Sequence, residues 1–160
     1  MSTNSQRGFS MIEVIVFIVI VSVALTGVLS VMNVTTQRSA DPLVRKQAIA
    51  VAESMLEEIT LQNFDNPSGG YTCPSAPCIQ ADRIRVDDVS DYHGFSSTGV
   101  YPIEGSTAIT GLGAYTVAVS VVGAALGTIA ATDSKLISVT VTGTDNVSVT
   151  VSAYRANYGS

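Results

Sequence analysis

The sequence predicts an α+β chain: a long amino-terminal helix, apolar in its first half and amphipathic in its second, packed on a small antiparallel β-sheet head. Three observations give this reading. An uncharged run of 24 residues extends from Val14 to Gln37. The stretch after it repeats its apolar residues at three- and four-residue spacing, the period of one helix face. Near the carboxyl end, three segments alternate apolar and polar residues with a period of two, as half-buried strands do.

The 160 residues suffice for one domain of ordinary size with an appendage. Net charge is −5 with a pI near 4.6, and the only dense basic pair among eight Lys and Arg is Arg45–Lys46. A phosphate-binding surface needs clustered cations, so nucleic acid is not an expected partner.

The apolar run comes first. At 1.5 Å per residue, 24 residues of helix cross a hydrocarbon core of roughly 30 Å. The apolar core of a secretory signal peptide is shorter and ends at a small-residue cleavage site, which this run lacks. The many Val and Ile residues lower helix propensity in water, but lipid forces every backbone hydrogen bond to be made within the segment. Arg7 precedes the run and an acidic bulk follows it, which predicts the amino terminus inside and the remainder outside. Glu13 stands at the start of this run. One reading has its carboxylate reaching back to the membrane surface. An unpaired charge at membrane depth costs roughly 2.5–3.5 kcal/mol on insertion scales, so a second reading asks for a partner.

Residues 7–14 read RGFSMIEV. A short polar and basic leader, Gly8-Phe9, a glutamate four residues after the Phe and then some twenty apolar residues together resemble the amino-terminal signature of type IV pilins and of type II secretion pseudopilins. Ser10 and Met11 stand where the usual G-F-T-L-x-E form has Thr and Leu. The resemblance implies that a prepilin peptidase removes residues 1–8 by cutting between Gly8 and Phe9, and that the new amine on Phe9 is methylated. It also implies that Glu13 neutralises the Phe9 amine of a neighbouring subunit. An opposite charge at the same depth makes a buried carboxylate tolerable and turns it into a gauge of axial register. The implied partners are other pilin subunits, the peptidase, an inner-membrane assembly platform and lipid. The implied location is the inner membrane, single-pass with the head in the periplasm, and then a cell-surface or periplasmic filament. Ser22, Gly27 and Ser30 offer small surfaces for close helix approach. Major pilins usually carry a proline midway along the apolar helix; here the first is Pro42, which points toward a minor component.

After the filament-core segment, set at 9–37, residues 38–62 continue as an amphipathic helix. Val44, Ala48, Ala52, Met55 and Ile59 form its apolar stripe, with Ile49 and Leu56 alongside and Arg45, Lys46, Glu53, Glu57 and Glu58 on the other faces. Asp41-Pro42 reads as an N-cap with proline in the first turn, hence either a new helix or a kink in one long one. Residues 63–160 form the expected head, starting with a turn-rich region from Phe64 to Gly111. Within it, Cys73 and Cys78 bracket two prolines. The spacing is neither that of a redox pair nor half a zinc site, which favours a disulfide closing a tight loop over two free thiols. Strands are expected at 114–122, 135–143 and 147–155. A hairpin turn lies between the last two, and 123–134 supplies another hairpin or an irregular crossing.

The segment RVDDVSDYHGF gathers Asp87, Asp88 and Asp91 close to Asp82 and to His93, the single histidine. It reads either as a solvated acidic loop, which the lack of EF-hand spacing favours, or as a calcium site on Asp87, Asp88 and Asp91. No nucleophile–base–orienter set is recognisable, so neither an enzyme nor a cofactor is expected. The helix from Ser39, the Cys pair, DDVSDYHGF and GLGAYTVAVSV also resemble, more loosely, the D-type minor pilins of the mannose-sensitive haemagglutinin pilus. The expected function is a minor structural subunit of a type IV pilus. The alternatives are a type II secretion pseudopilin, or a membrane-anchored module whose Cys loop and acidic loop touch a surface.

Overall fold

A computed structural model of the chain describes residues 10–144 and 147–158, without the side chains of 33–41. Helical geometry covers Met11–Thr60 (α1) with Pro42 inside it. Of the two readings of Asp41-Pro42, one long helix and not a new one is observed, and Pro42 forgoes only its own main-chain bond. At the first turn the Ser10 carbonyl accepts from the amides of Glu13 and Val14. The Glu13 carboxylate sits where the helix dipole favours negative charge. At the other end Thr60 donates its hydroxyl to the Glu57 carbonyl at 2.9 Å, and the chain leaves the helix without a glycine.

The chain divides into two compact units, Met1–Asp41 and Pro42–Ser160. In the first, Met11–Met32 is a 22-residue helix long and apolar enough to cross a membrane, and none of it is buried within the chain.

In the second, the apolar stripe of α1 covers one face of a four-stranded sheet. The strands are β1 (Ser96–Thr98), β2 (Thr116–Gly123), β3 (Ser134–Thr142) and β4 (Ser148–Ala156), antiparallel throughout and in chain order. The expected strands differ from β2, β3 and β4 by one or two residues at each end. β1 lies within the stretch read as turns, because three residues are too few to show a period.

Period two explains the sheet. Val117, Val119 and Val121 of β2 and Ile137, Val139 and Val141 of β3 turn inward and are buried, while Thr116, Ser120, Ser138, Thr140 and Thr142 turn outward; Ser134, at the start of β3, is buried. Ala48 and Ala52 carry the helix close to this face, and Met55 and Ile59 fill the space beyond. Each large apolar side chain so buried contributes roughly 1.5–3 kcal/mol. Residues 124–133 form a small hairpin closed by two bonds between Leu126 and Ile129. A Cβ added at Gly123 would stand 2.7 Å from the Ala131 carbonyl oxygen, so only glycine allows the chain to return so closely there.

Candidate functional site

Gly8 and Phe9 lie outside the described residues. Glu13 is exposed on the first turn of α1, and the helix after it turns Ile15, Phe17 and Val19 outward together with its other apolar residues. Along one flank Ser22, Val23, Thr26, Gly27 and Ser30 line a shallow depression. Ser22 and Thr26 donate their hydroxyls to the carbonyls of Ile18 and Ser22 at 2.7 and 2.8 Å. Their donors are satisfied within the helix, so a neighbouring helix can approach this flank without stranding a hydroxyl proton.

The acidic loop sits beside the carboxyl end of α1. Asn63, just past α1, bridges to it: its amide donates to the Asp87 carbonyl at 3.1 Å, and its carbonyl accepts from Val89 N at 2.9 Å. Asp88 caps the 3-10 turn Val89–Tyr92 by accepting from Ser90 N at 2.6 Å, and Asp87 accepts from Tyr71 N at 2.7 Å. Asp87, Asp88 and Asp91 bring one carboxylate oxygen each within 4.8 Å of one another. Among the described residues, Asp87 Oδ1 and Asp91 Oδ2 are shut from solvent without a hydrogen-bond partner. Burial first, then the charges of Asp88 and Asp87, push the Asp91 carboxyl up to about 6. Such an arrangement holds a proton, or offers a hard cation its oxygens.

The other members of the acidic segment serve elsewhere. Asp82 accepts from the Tyr71 hydroxyl at 2.8 Å and from Ile79 N at 3.1 Å, and its hydrogen bond and burial push the Tyr71 phenol up. His93 Nδ1 accepts from Val121 N at 3.2 Å and so belongs to β2. Cys73 and Cys78 are disulfide-bonded with their Cα atoms 5.4 Å apart, and their sulfurs lie within 4.8 Å of an Asp91 carboxylate oxygen. Residues 73–78 thus form a wall of the acidic cluster.

The prokaryotic N-terminal methylation motif matches residues 3–29. That motif indicates a type IV pilin-like or pseudopilin precursor. Neither a curated protein nor a solved structure matches the chain. The pilin motif belongs to structural subunits and not to enzymes, and it implies assembly with other pilin subunits and processing by a peptidase. With the bare apolar helix of Met11–Met32, it is consistent with membrane anchoring.

One part of the chain has no signal in the sequence. Glu58, assigned by its charge to an exposed face of α1, is 13% exposed in its side chain and joins Arg83, which is 10% exposed. Arg83 Nε donates to Glu58 Oε1 at 2.6 Å and its Nη1 to the Tyr101 carbonyl at 2.9 Å. The Tyr92 hydroxyl donates to the same Glu58 oxygen at 2.8 Å; burial and that carboxylate push its phenol up. The joint ties α1 to three loops and forms the polar end of a cavity of about 340 Å³ lined by Met55, Phe95 and Leu112. Twenty-five residues separate Glu58 from Arg83, so no local pattern pairs them.

Proposed function

We propose that the chain is a minor structural subunit of a type IV pilus, cut between Gly8 and Phe9, methylated on Phe9 and built into the filament through its amino-terminal helix. The reading rests on one observation. A 22-residue apolar helix has no cover of its own and carries a single carboxylate, Glu13, at its start. In the filament, neighbouring helices bury that segment, and the Phe9 amine of an adjoining subunit supplies the counter-charge for Glu13. The satisfied hydroxyls of Ser22 and Thr26 and the missing side chain of Gly27 support close contact along one flank. Before assembly the same segment anchors the chain in the inner membrane with its head in the periplasm, and the assembly platform draws it from there.

The late position of Pro42 favours a minor over a bulk subunit, and the looser likeness to the D-type minor pilins of the mannose-sensitive haemagglutinin pilus agrees with this. The test is Glu13→Ala in cells. Membrane insertion is expected to stay intact or improve, because a charge is removed, while recovery of the subunit in sheared filaments falls at least tenfold. Normal recovery would remove the role of Glu13. Gly8→Trp is expected to leave the full-length chain in the membrane.

A further inference from the structure

We propose that β4 is a homotypic docking edge, at which two copies of this chain pair β4 against β4, antiparallel, about a two-fold axis through Thr150.

The edge is open and regular. β4 pairs with β3 over nine consecutive positions, from Ser134↔Ala156 to Thr142↔Ser148, with no bulge. Among the described residues no backbone bond joins β4 to another strand. Proteins blunt such edges with lysine, proline, bulges or short length. β4 is nine residues long, has no proline, and carries one charge, Arg155. The opposite edge, β1, is three residues long. The inward row of β4 is also incompletely covered: Val149 and Val151 are half-buried, whereas their partners Val141 and Val139 are fully buried.

The sequence of the edge says what completes it. Ser148-Val149-Thr150-Val151-Ser152 reads the same in both directions. An antiparallel pair centred on Thr150 therefore sets Ser148 against Ser152, Val149 against Val151 and Thr150 against Thr150. The inward valines of the two copies then cover one another. On the outer face, the hydroxyl rows Thr140–Thr150 (2.8 Å) and Ser138–Ser152 (2.9 Å) continue into the second copy.

Arg155, five residues after Thr150, is the one charge on this edge. Within the chain, Arg155 Nε is shut from solvent and has no hydrogen-bond partner among the described residues.

Nine paired residues span about 30 Å and bury less than the roughly 800 Å² per partner of a standard interface, so the contact is weak between dilute chains. The two-fold also reverses the Pro42–Thr60 part of α1 in one copy relative to the other. Subunits repeated head-to-tail in one helical array share one direction. The edge therefore joins copies in different arrays, a consequence that rests on the filament reading, whereas the pairing itself does not.

Cysteine cross-linking of the full-length chain in detergent tests the pairing, because Cys73 and Cys78 are already bonded to each other. Directly opposed residues on paired strands have the Cα separation a disulfide needs. Under mild oxidation Thr150→Cys is expected to give covalent dimers at least tenfold above Ser120→Cys, an exposed control on the outer face of β2. Ser152→Cys is expected to cross-link to Ser148→Cys in a mixed sample and not to itself. Thr150→Lys, which opposes two ammonium groups across the axis, is expected to abolish dimers in sedimentation at high concentration with an unchanged circular dichroism spectrum. Equal yields from Thr150→Cys and Ser120→Cys, self-linking of Ser152→Cys, or a Thr150→Lys variant that still dimerises would each overturn it. None of these readouts depends on filament assembly, so failure here leaves the function of Glu13 standing, and the reverse holds as well.

Discussion

Ile137, Val139 and Val141 are fully buried in the head, whereas Ile15, Phe17 and Val19 are 59, 66 and 57% exposed. The residues are alike in chemistry and opposite in circumstance. In the head, period two on the strands faces a three- and four-residue stripe on α1, and the chain covers its own apolar surface. The leading helix is apolar on every side, so no arrangement of one amphipathic partner could cover it. Among the described residues nothing buries it, which is consistent with membrane anchoring and sets it apart from a folded domain.

Substitutions should therefore read out differently in the two regions. The largest effect belongs to the head core: Ile137→Ala is expected to destabilise it by about 4 kcal/mol in urea denaturation of the full chain in detergent, through lost burial and an unfilled cavity. Glu58→Ala is expected to cost about 3 kcal/mol in the same assay, because Arg83 is left enclosed without its counter-charge and Tyr92 loses its acceptor. Equal stability of Glu58→Ala and the parent would show that the joint is ornamental.

A smaller effect attaches to Asp91, and its sign follows from the direction of its shift. Its carboxyl is raised to about 6 in the folded chain, against 3.8 for the ordinary group. The unfolded chain thus ionises first, and Asp91 costs the native state increasing stability as pH rises from about 4 to about 6. Asp91→Asn is expected to raise the thermal midpoint by a few degrees at pH 7 and to leave it almost unchanged at pH 4. A gain of the same size at both pH values would contradict this origin. Smallest of all, Phe17→Ala is expected to move head unfolding by less than about 0.5 kcal/mol, since its side chain stands exposed among the described residues. A large loss there would erase the contrast between the two regions.

Local order made much of this legible from residues alone. The uncharged run from Val14 to Gln37 announces a helix, and the alternation in TVAVSVV, LISVTVT and VSVTVSA places three strands within two residues. Elements set by distant partners were hidden. β1 is too short for a period and exists because Ser96–Thr98 lie beside Thr116–Ala118 of β2. Glu58 reads as a surface charge until Arg83 is brought to it by the fold. The convergence of Asp87, Asp88 and Asp91 follows from their nearness in sequence, but the orphaned oxygens and the disulfide wall beside Asp91 depend on packing. Pro42 leaves two readings open, a helix start or a kink in one long helix, because proline suits a first turn and is also tolerated at the cost of one bond; only the fold decides, and it sets Pro42 inside α1.

Intact-mass measurement of the chain from assembled filaments tests the central claim most directly. The account predicts a chain beginning at Phe9 with one added methyl on its amine, ready to face Glu13 of a neighbour. Assembled chains that still carry residues 1–8 would contradict it.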